Sequence, residues 1–503
     1  MLVQTQLQSG GRSIMSQKPL ENGRSRSRAR TRPLIAATAL ALVFGFASAA
    51  TAAPLLGTTT RISVDSAGAQ GNDSSVGPAV SGDGRYITYF SDASNLVIGD
   101  TNGARDVFLF DTITAVTTRI SVDSAGAQGN EDSSEPSVSG DGRYITYRST
   151  ASNLVVGDSN NEADVFLFDR ITAVTTRISV DSAAAQSDDE SSNPSISGDG
   201  RYIIYDSEAT NLVVGDTNGV SDVFLFDTIT AVTTRISVDS AAAQSNASSF
   251  DPTISQDGRY IAYYSDATNL VLGDTNGVFD VFLFDRTTLG TTRVNVSSAA
   301  VQSNANSFNV AISGDGRYIT HDSGASNLVV GDTNGVTDVF LFDTTTLATT
   351  RISVNSAATQ SSGPSFTPAI SGDGRYVTYR SNATNLVAGD TNGLDDVFLF
   401  DRTTLTTTRI SVHSTGTQGN DGSFAPAISA DGRSIAYESN ASNLVASDTN
   451  GVADVFLFAL PAAAATPALP AAGSDPIAPL AIAVLMLGAG VFTVSFYRRH
   501  RAS

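Results

Sequence analysis

One spacing governs this chain. The Arg of a Thr-Thr-Arg motif stands at 61, 119, 177, 235, 293, 351 and 409, a constant step of 58 residues. The same step relates seven copies of DVFLF beginning at Asp106, Asp164, Asp222, Asp280, Asp338, Asp396 and Asp454. No insertion or deletion interrupts the series, so each unit is one module that leans on its neighbours for a core.

Four short strands are predicted per unit. The first is Pro78–Ser81, ended by a Gly-Asp-Gly turn whose last Gly suits a positive φ. The second starts at Arg85 (RYITYFS), the third at Asp106 (DVFLFD) and the fourth at Thr117 (TTRISV). In the third strand Val107 and Leu109 face one way and Phe108 and Phe110 the other. Both faces are apolar, so the strand is expected to be covered on both sides, and its Phe residues belong to the core. Four-stranded units stacked face to face are the blades of a β-propeller. The fold expected is therefore all-β, a seven-bladed β-propeller over residues 58–460.

The ends of the array support this. It opens with a fourth-strand sequence alone, Thr59–Val64, and finishes on a third strand, Asp454–Leu460. The last blade thus lacks its outer strand, and the N-terminal strand can supply it, closing the ring without a long free edge.

The runs SGDGRYITY and DVFLFD also resemble the TolB-type propeller repeat, which is related to the WD-type repeats. The resemblance spans seven copies and implies the propeller and a scaffold role rather than a particular ligand. Gln256 and Ala430 depart from it at the Gly before Asp-Gly, and Ser434 departs at the strand-two Tyr.

Charge narrows the partners. Between residues 54 and 460 there are 20 basic and 48 acidic residues, a formal charge of −28. A phosphate-binding surface needs clustered Lys and Arg, so nucleic acid is not an expected partner. Of the acids in the whole chain 43 are Asp and seven Glu, which suits turns rather than helices. With no cysteine, stability must come from the repetitive core or bound ions rather than disulfides.

The two termini predict export. Residues 1–53 combine the Arg-rich RSRSRARTR, an apolar run and small residues, the pattern of a secretory signal peptide cleaved between Ala49 and Ala53. Residues 461–476 form an Ala/Pro linker, 477–497 an uncharged stretch long enough to be a transmembrane helix, and 498–503 a basic tail expected in the cytoplasm. Within the linker, Leu469, Pro470, Ala471, Ala472 and Gly473 precede the span. Pentapeptide, span and basic tail resemble the LPxTG sorting signal of Gram-positive surface proteins, with Ala472 in place of Thr. That resemblance implies a sortase and the cell wall as partners, and the apolar span alone implies a membrane anchor. Both readings put the propeller on the outer surface.

The connections between strands two and three and between successive blades are long and polar, and in an up-and-down blade they emerge on one face. Each strand-two-to-three loop ends in D-x-N-G-x-x-D or a close variant. The repeated trio is Asp100, Asn102 and Asp106; Asp158, Asn160 and Asp164; Asp216, Asn218 and Asp222; Asp274, Asn276 and Asp280; Asp332, Asn334 and Asp338; Asp390, Asn392 and Asp396; Asp448, Asn450 and Asp454. Hard oxygen ligands around a Gly suit Ca²⁺, which would also relieve repulsion between the two carboxylates. The same residues also make a plain turn, since Asp and Asn bond their own backbone and Gly takes positive φ. Both readings stand at this point.

Catalysis in a symmetric ring requires residues that break the symmetry. His321 and His413 are the histidines of the repeat region, and neither has a nucleophile in a recognisable setting. The recurring Arg85 and Arg119 positions read as salt-bridge partners of turn carboxylates, the Asp of Gly-Asp-Gly among them. The function expected is a non-enzymatic surface module binding an extracellular protein, glycan or envelope component. An extracellular hydrolase or lyase acting on a polysaccharide or peptide is the alternative.

Overall fold

The computed structural model describes residues 57–461, which form 28 strands in seven four-stranded antiparallel sheets. The signal-peptide, sorting-motif and transmembrane expectations fall outside the described residues. Strand β1 is Thr58–Arg61, and the first complete blade is β2 (Ser75–Val80), β3 (Tyr86–Ser91), β4 (Asp106–Asp111) and β5 (Val116–Arg119). The 58-residue step carries this pattern to the last blade, β26 (Ser423–Ile428), β27 (Ser434–Ser439) and β28 (Asp454–Ala459). Its sheet order is β1-β28-β27-β26, so the first strand of the chain completes the last blade, with Thr59 opposite Phe458 and Arg61 opposite Phe456. The fold is a seven-bladed β-propeller closed by its N-terminal strand.

The double apolar face of the third strand holds the ring together. Val107 and Leu109 pack against Ile145, Tyr147, Phe166 and Phe168 of the next blade. At the closure, Ile62, Ile87, Tyr89 and Phe108 cluster with Ala436 and Val455 of the last blade. Tyr89 and Phe108 lie cross-strand with ring centroids 5.9 Å apart.

The Gly-Asp-Gly turns meet around the axis. Gly140 N donates to the Gly198 carbonyl, Gly198 N to Gln256, Gly314 N to Gly372, Gly372 N to Ala430 and Ala430 N to Gly82. A Cβ on Gly82 would stand 3.1 Å from the Gly140 Cα, which is why a small residue suits this position. This belt marks the short-turn end of the central channel. The long connections lace together at the opposite end, where Asn95 Nδ2 donates to the Gln70 carbonyl and Asn72 N donates to Asn95 Oδ1.

Three of the four strands differ in their bounds from the sequence reading. The first strand begins at Ser75 rather than Pro78 and contains a β-bulge between Val76 and Ala79. The second begins at Tyr86, one residue after Arg85. The fourth stops at Arg119, because Ser121 Oγ takes the Val107 N–H and so replaces a ladder carbonyl.

Candidate functional site

The D-x-N-G-x-x-D loops form a repeated ion-pair clamp. Arg119 Nη1 lies 3.2 Å from Asp100 Oδ1 and 2.9 Å from Asp106 Oδ2, and all three side chains are largely buried. Equivalent Arg residues bridge the two carboxylates in every blade, Arg177, Arg235, Arg293, Arg351 and Arg409 in their own and Arg61 of β1 in the last. Burial pushes the Asp100 carboxyl up, the neighbouring Asp106 adds to this, and Arg119 opposes it. Asn102 closes the turn, its Oδ1 accepting the Ala104 N–H and its Nδ2 donating to the Gly129 carbonyl at 2.8 Å. Gly103 sits at φ 68°, and Asn161 takes the same place in the second blade at φ 59°.

Toward a metal, this arrangement presents a guanidinium between the carboxylates and turns the neutral amide oxygen of Asn102 to the backbone. Ca²⁺ at this position would have to displace Arg119. Among the described residues no group of three or more His, Asp or Glu is placed to hold a metal ion.

The other recurring Arg has a different partner from the one expected. Arg85 forks onto Asp111, the last residue of β4, with Nε to Oδ1 at 2.9 Å and Nη2 to Oδ2 at 2.7 Å. The turn carboxylate of Asp83 instead accepts from Ser81 Oγ and Arg85 N, which fixes the hairpin.

Neither histidine lies in a cleft. His321 is fully buried between blades, tilted against Phe340 with centroids 5.9 Å apart, and desolvation lowers its pKa to about 4. His413 closes an exposed turn, accepting the Thr415 N–H through Nδ1 as Asp65 accepts the Ala67 N–H in the first unit.

Symmetry is broken elsewhere, around the channel. The bulge residue of the innermost strand is Gly77, Glu135, Asn193, Asp251, Asn309, Thr367 and Ala425 in successive blades, all at φ between 44° and 61°. Six of the seven thus hold a side chain in the left-handed region, costly above all for the β-branched Thr367. Blade one needs Gly, because a Cβ on Gly77 would stand 2.3 Å from the Phe90 ring.

Beside the bulge, the second strand carries Phe90, Arg148, Asp206, Tyr264, Asp322, Arg380 and Glu438. Several of these carboxylates cap bulge amides across a blade boundary. Glu438 accepts from Gly77 N at 2.9 Å, Asp206 from Asp251 N at 3.2 Å and Asp322 from Thr367 N at 3.0 Å. Glu135 accepts from Asn193 N at 2.8 Å, and the Asn193 amide donates to Asp206. Asp206 therefore joins blades two to four in one acidic network with Glu135 and Asp251.

Burial dominates the electrostatics there. Desolvation raises Asp206 to about 8 against the Asn193 hydrogen bond, and Asp322 to about 6 against that of Asn309. It also raises Glu135, Asp251 and Glu438. The cations of this position point to other partners: Arg148 reaches Glu190 at 3.4 Å, and Arg380 lies 3.7 Å from Asp395 with its guanidinium over Phe366. Five of the bulge residues, Glu135, Asn193, Asp251, Asn309 and Thr367, line a cavity of about 380 Å³ within the channel, at the end nearer the long loops.

Sequence reasoning located the recurring loops but missed this ring. The signal was available as the positions at which seven otherwise matching copies disagree: the residues before and at the bulge, the second-strand residue opposite, and the last loop residue (Arg105, Ala163, Ser221, Phe279, Thr337, Asp395, Ala453).

These features define a β-propeller with a symmetric frame and an asymmetric channel mouth. No protein-family model matches the chain, and no curated protein matches its sequence. Among solved structures it is similar to an oligogalacturonate lyase from Vibrio parahaemolyticus, 11% identical with a TM-score of 0.48, over 80% of this chain and 93% of that one. It is also similar to the β-propeller domain of the Trilobed protease from Pyrococcus furiosus, 10% identical with a TM-score of 0.47, over 77% and 95%. TolB from Acinetobacter baumannii is 15% identical with a TM-score of 0.35, over 60% and 58%.

Proposed function

We propose that this chain is a non-enzymatic binding module, carried outside the cell by its predicted export and anchoring signals, that engages an extracellular protein, glycan or envelope component at the channel mouth. One observation carries the reading: the side chains that differ most between copies gather at that mouth, while the frame of Arg clamps, aromatic pairs and Gly-Asp-Gly turns repeats. A rigid scaffold presenting variable groups from one face is how loop-bearing folds build recognition surfaces. The strained bulge fits the same reading, since side chains kept at positive φ against their local preference mark functional positions.

The test compares the full-length protein with a variant in which Glu135, Asn193, Asp251, Asn309 and Thr367 are all replaced by Gly. A control carries Ile113→Ala, Ile171→Ala and Ile229→Ala on the short-turn face, where these residues are exposed. Binding to isolated cell envelopes is expected to weaken at least roughly tenfold in the mouth variant, the loss of about 1.4 kcal/mol, and to persist in the control. Equal binding by all three proteins would sink the proposal.

A catalytic reading has one supporting observation, the Asp206 carboxyl held protonated near neutrality in the manner of a general acid. Asp206 is only 6% exposed and already bonded to Asn193 and Asp251 N, which favours a structural role in the ring.

A further inference from the structure

Beside the channel, where blades four, five and six meet, lies a second cavity of about 540 Å³ that shares Asp251 and Asn309 with the first. Its walls include the half-buried rings of Tyr264, Phe308 and Phe366. Tyr264 and Phe308 meet edge to face with centroids 5.3 Å apart, and Phe279 backs both at 5.7 and 5.4 Å. Such packing fixes the rings in place before any ligand arrives.

Two carboxylates complete the wall, Asp251 and Asp322. Asp322 is 2% exposed and takes the Asn309 amide and Thr367 N through Oδ2, leaving Oδ1 for the cavity. No Lys or Arg lines the cavity; the cation that acts on Asp322 is Arg380, whose guanidinium stacks on Phe366. The opening arises at this blade because Gly324 stands where the other copies have Asp92, Thr150, Glu208, Asp266, Asn382 and Asn440.

From this geometry we infer that the cavity is a binding pocket for an organic ammonium group, with the rings of Tyr264, Phe308 and Phe366 around the cation and Asp322 and Asp251 as its counter-charges. Aromatic faces attract a desolvated ammonium, and a carboxylate buried without a full set of partners is satisfied by a cation carrying N–H donors. Two carboxylates disfavour an anion, and three aromatic walls disfavour a bare metal ion, which needs oxygen ligands all round. The inference rests on the channel mouth being the binding face and names the chemistry that one of its pockets selects.

Calorimetric titration of the full-length protein with cadaverine tests it, using 1,5-pentanediol as the neutral analogue and choline as the quaternary one. Saturable cadaverine or choline binding with no response to the diol is expected. Asp322→Asn and Phe308→Ala should each weaken that binding by roughly tenfold, a desolvated cation–π or ion-pair contribution. Asp65→Asn, in an exposed turn of the same face, should leave it unchanged. A thermal melt of each variant confirms that it is folded, and Tyr264→Phe, which keeps the ring, should retain most of the affinity if Asp322→Asn proves unstable. Equal binding of the diol, absence of any ammonium binding, or affinity untouched by both Asp322→Asn and Phe308→Ala would overturn the inference. If envelope binding still depends on the five bulge residues in that event, only the ligand class has failed and the binding face stands.

Discussion

Arg61 on the first strand and Asp454 on the last lie 393 positions apart in sequence, yet their side chains meet at 3.4 Å, 7% and 0% exposed. The contact is the same clamp that Arg119 makes with Asp106 inside one blade, here formed across the seam of the ring. Arg61→Ala would leave Asp448 and Asp454 buried without their cation, a loss of about 3–5 kcal/mol. Deleting residues 58–64 should cost more, because it also bares the edge of β28 and removes Ile62 from the cluster of Ile87, Tyr89 and Phe108. Thermal melts should fall in the order intact, Arg61→Ala, truncated, and gel filtration should show self-association of the truncated chain.

If the guanidinium is the cation of the D-x-N-G-x-x-D loops, the full-length protein should melt at the same temperature in EDTA and in millimolar Ca²⁺. Ligand linkage would raise the melting point if Ca²⁺ bound the native loops in place of Arg119. A rise of many degrees with Ca²⁺ but not Mg²⁺ would restore the metal reading of these carboxylates.

Two sets of carboxylates should give stability an optimum in mildly acidic solution. Asp169, Asp227 and Asp285 are held down at about 2 by the Arg143, Arg201 and Arg259 forks. Their contribution is present above the unfolded carboxylate pKa of about 4 and is lost as pH falls toward 2. Asp206 and Asp322 are raised, so the fold favours their protonated forms; that contribution is complete below about pH 4 and is lost as pH rises through about 6 and about 8. Asp206→Asn, which mimics the protonated acid, should stabilise the protein at pH 8 and change little at pH 4. The Asp206 part of the alkaline slope, at most about 1.4 kcal/mol per pH unit, should vanish in that variant. Urea melts across pH 3 to 9 provide the check.

His321 occupies the place of Tyr89 and its equivalents, with Nε2 buried and unpartnered. Its pKa of about 4 lies below the unfolded value near 6.5, so its neutral form supports the fold above about pH 6.5 and that support is lost as pH falls toward 4. His321→Tyr restores the larger ring that the other six blades pack on the equivalent Phe. The variant should be more stable by about 1 kcal/mol through the aromatic pair, with the larger gain at pH 5 where the imidazole begins to charge, measured by chemical denaturation.

Most of the frame was legible in the sequence because the frame is what repeats. DVFLFD maps onto β4 without a shift, and the orphan TTRISV at the N-terminus fills the missing outer strand. The pairing of Arg85 was not legible. Asp83 and Asp111 are both acidic, and only the hairpin geometry shows that the first bonds its own turn while the second, 26 residues on, receives the fork. The start of the innermost strand is hidden because the two residues after its opening Ser vary between copies and break the alternation, as Val76, Gly77 and Ser134, Glu135 show. Those features resemble a loop in any single copy. They become a strand because the bulge turns one residue into the channel while the ladder continues on either side, with Ser75 still opposite Ser91 and Ala79 opposite Thr88.

The central claim is that the frame holds the fold and the ring at the channel mouth holds the function. Thermal unfolding of the full-length variant with Glu135, Asn193, Asp251, Asn309 and Thr367 replaced by Gly tests it most directly. Positive φ is costly for side chains and free for Gly, by up to about 1–2 kcal/mol at a position such as Thr367. The variant also loses the Glu135–Asn193 N, Asn193–Asp206 and Asn309–Asp322 bonds, so the account expects relief of five positive-φ side chains to offset them and the melt to stay within about 5 °C of the unmodified protein. A melt more than about 5 °C lower, which for a ring of this size is a loss of roughly 4 kcal/mol, would show that these side chains build the fold and would contradict the account.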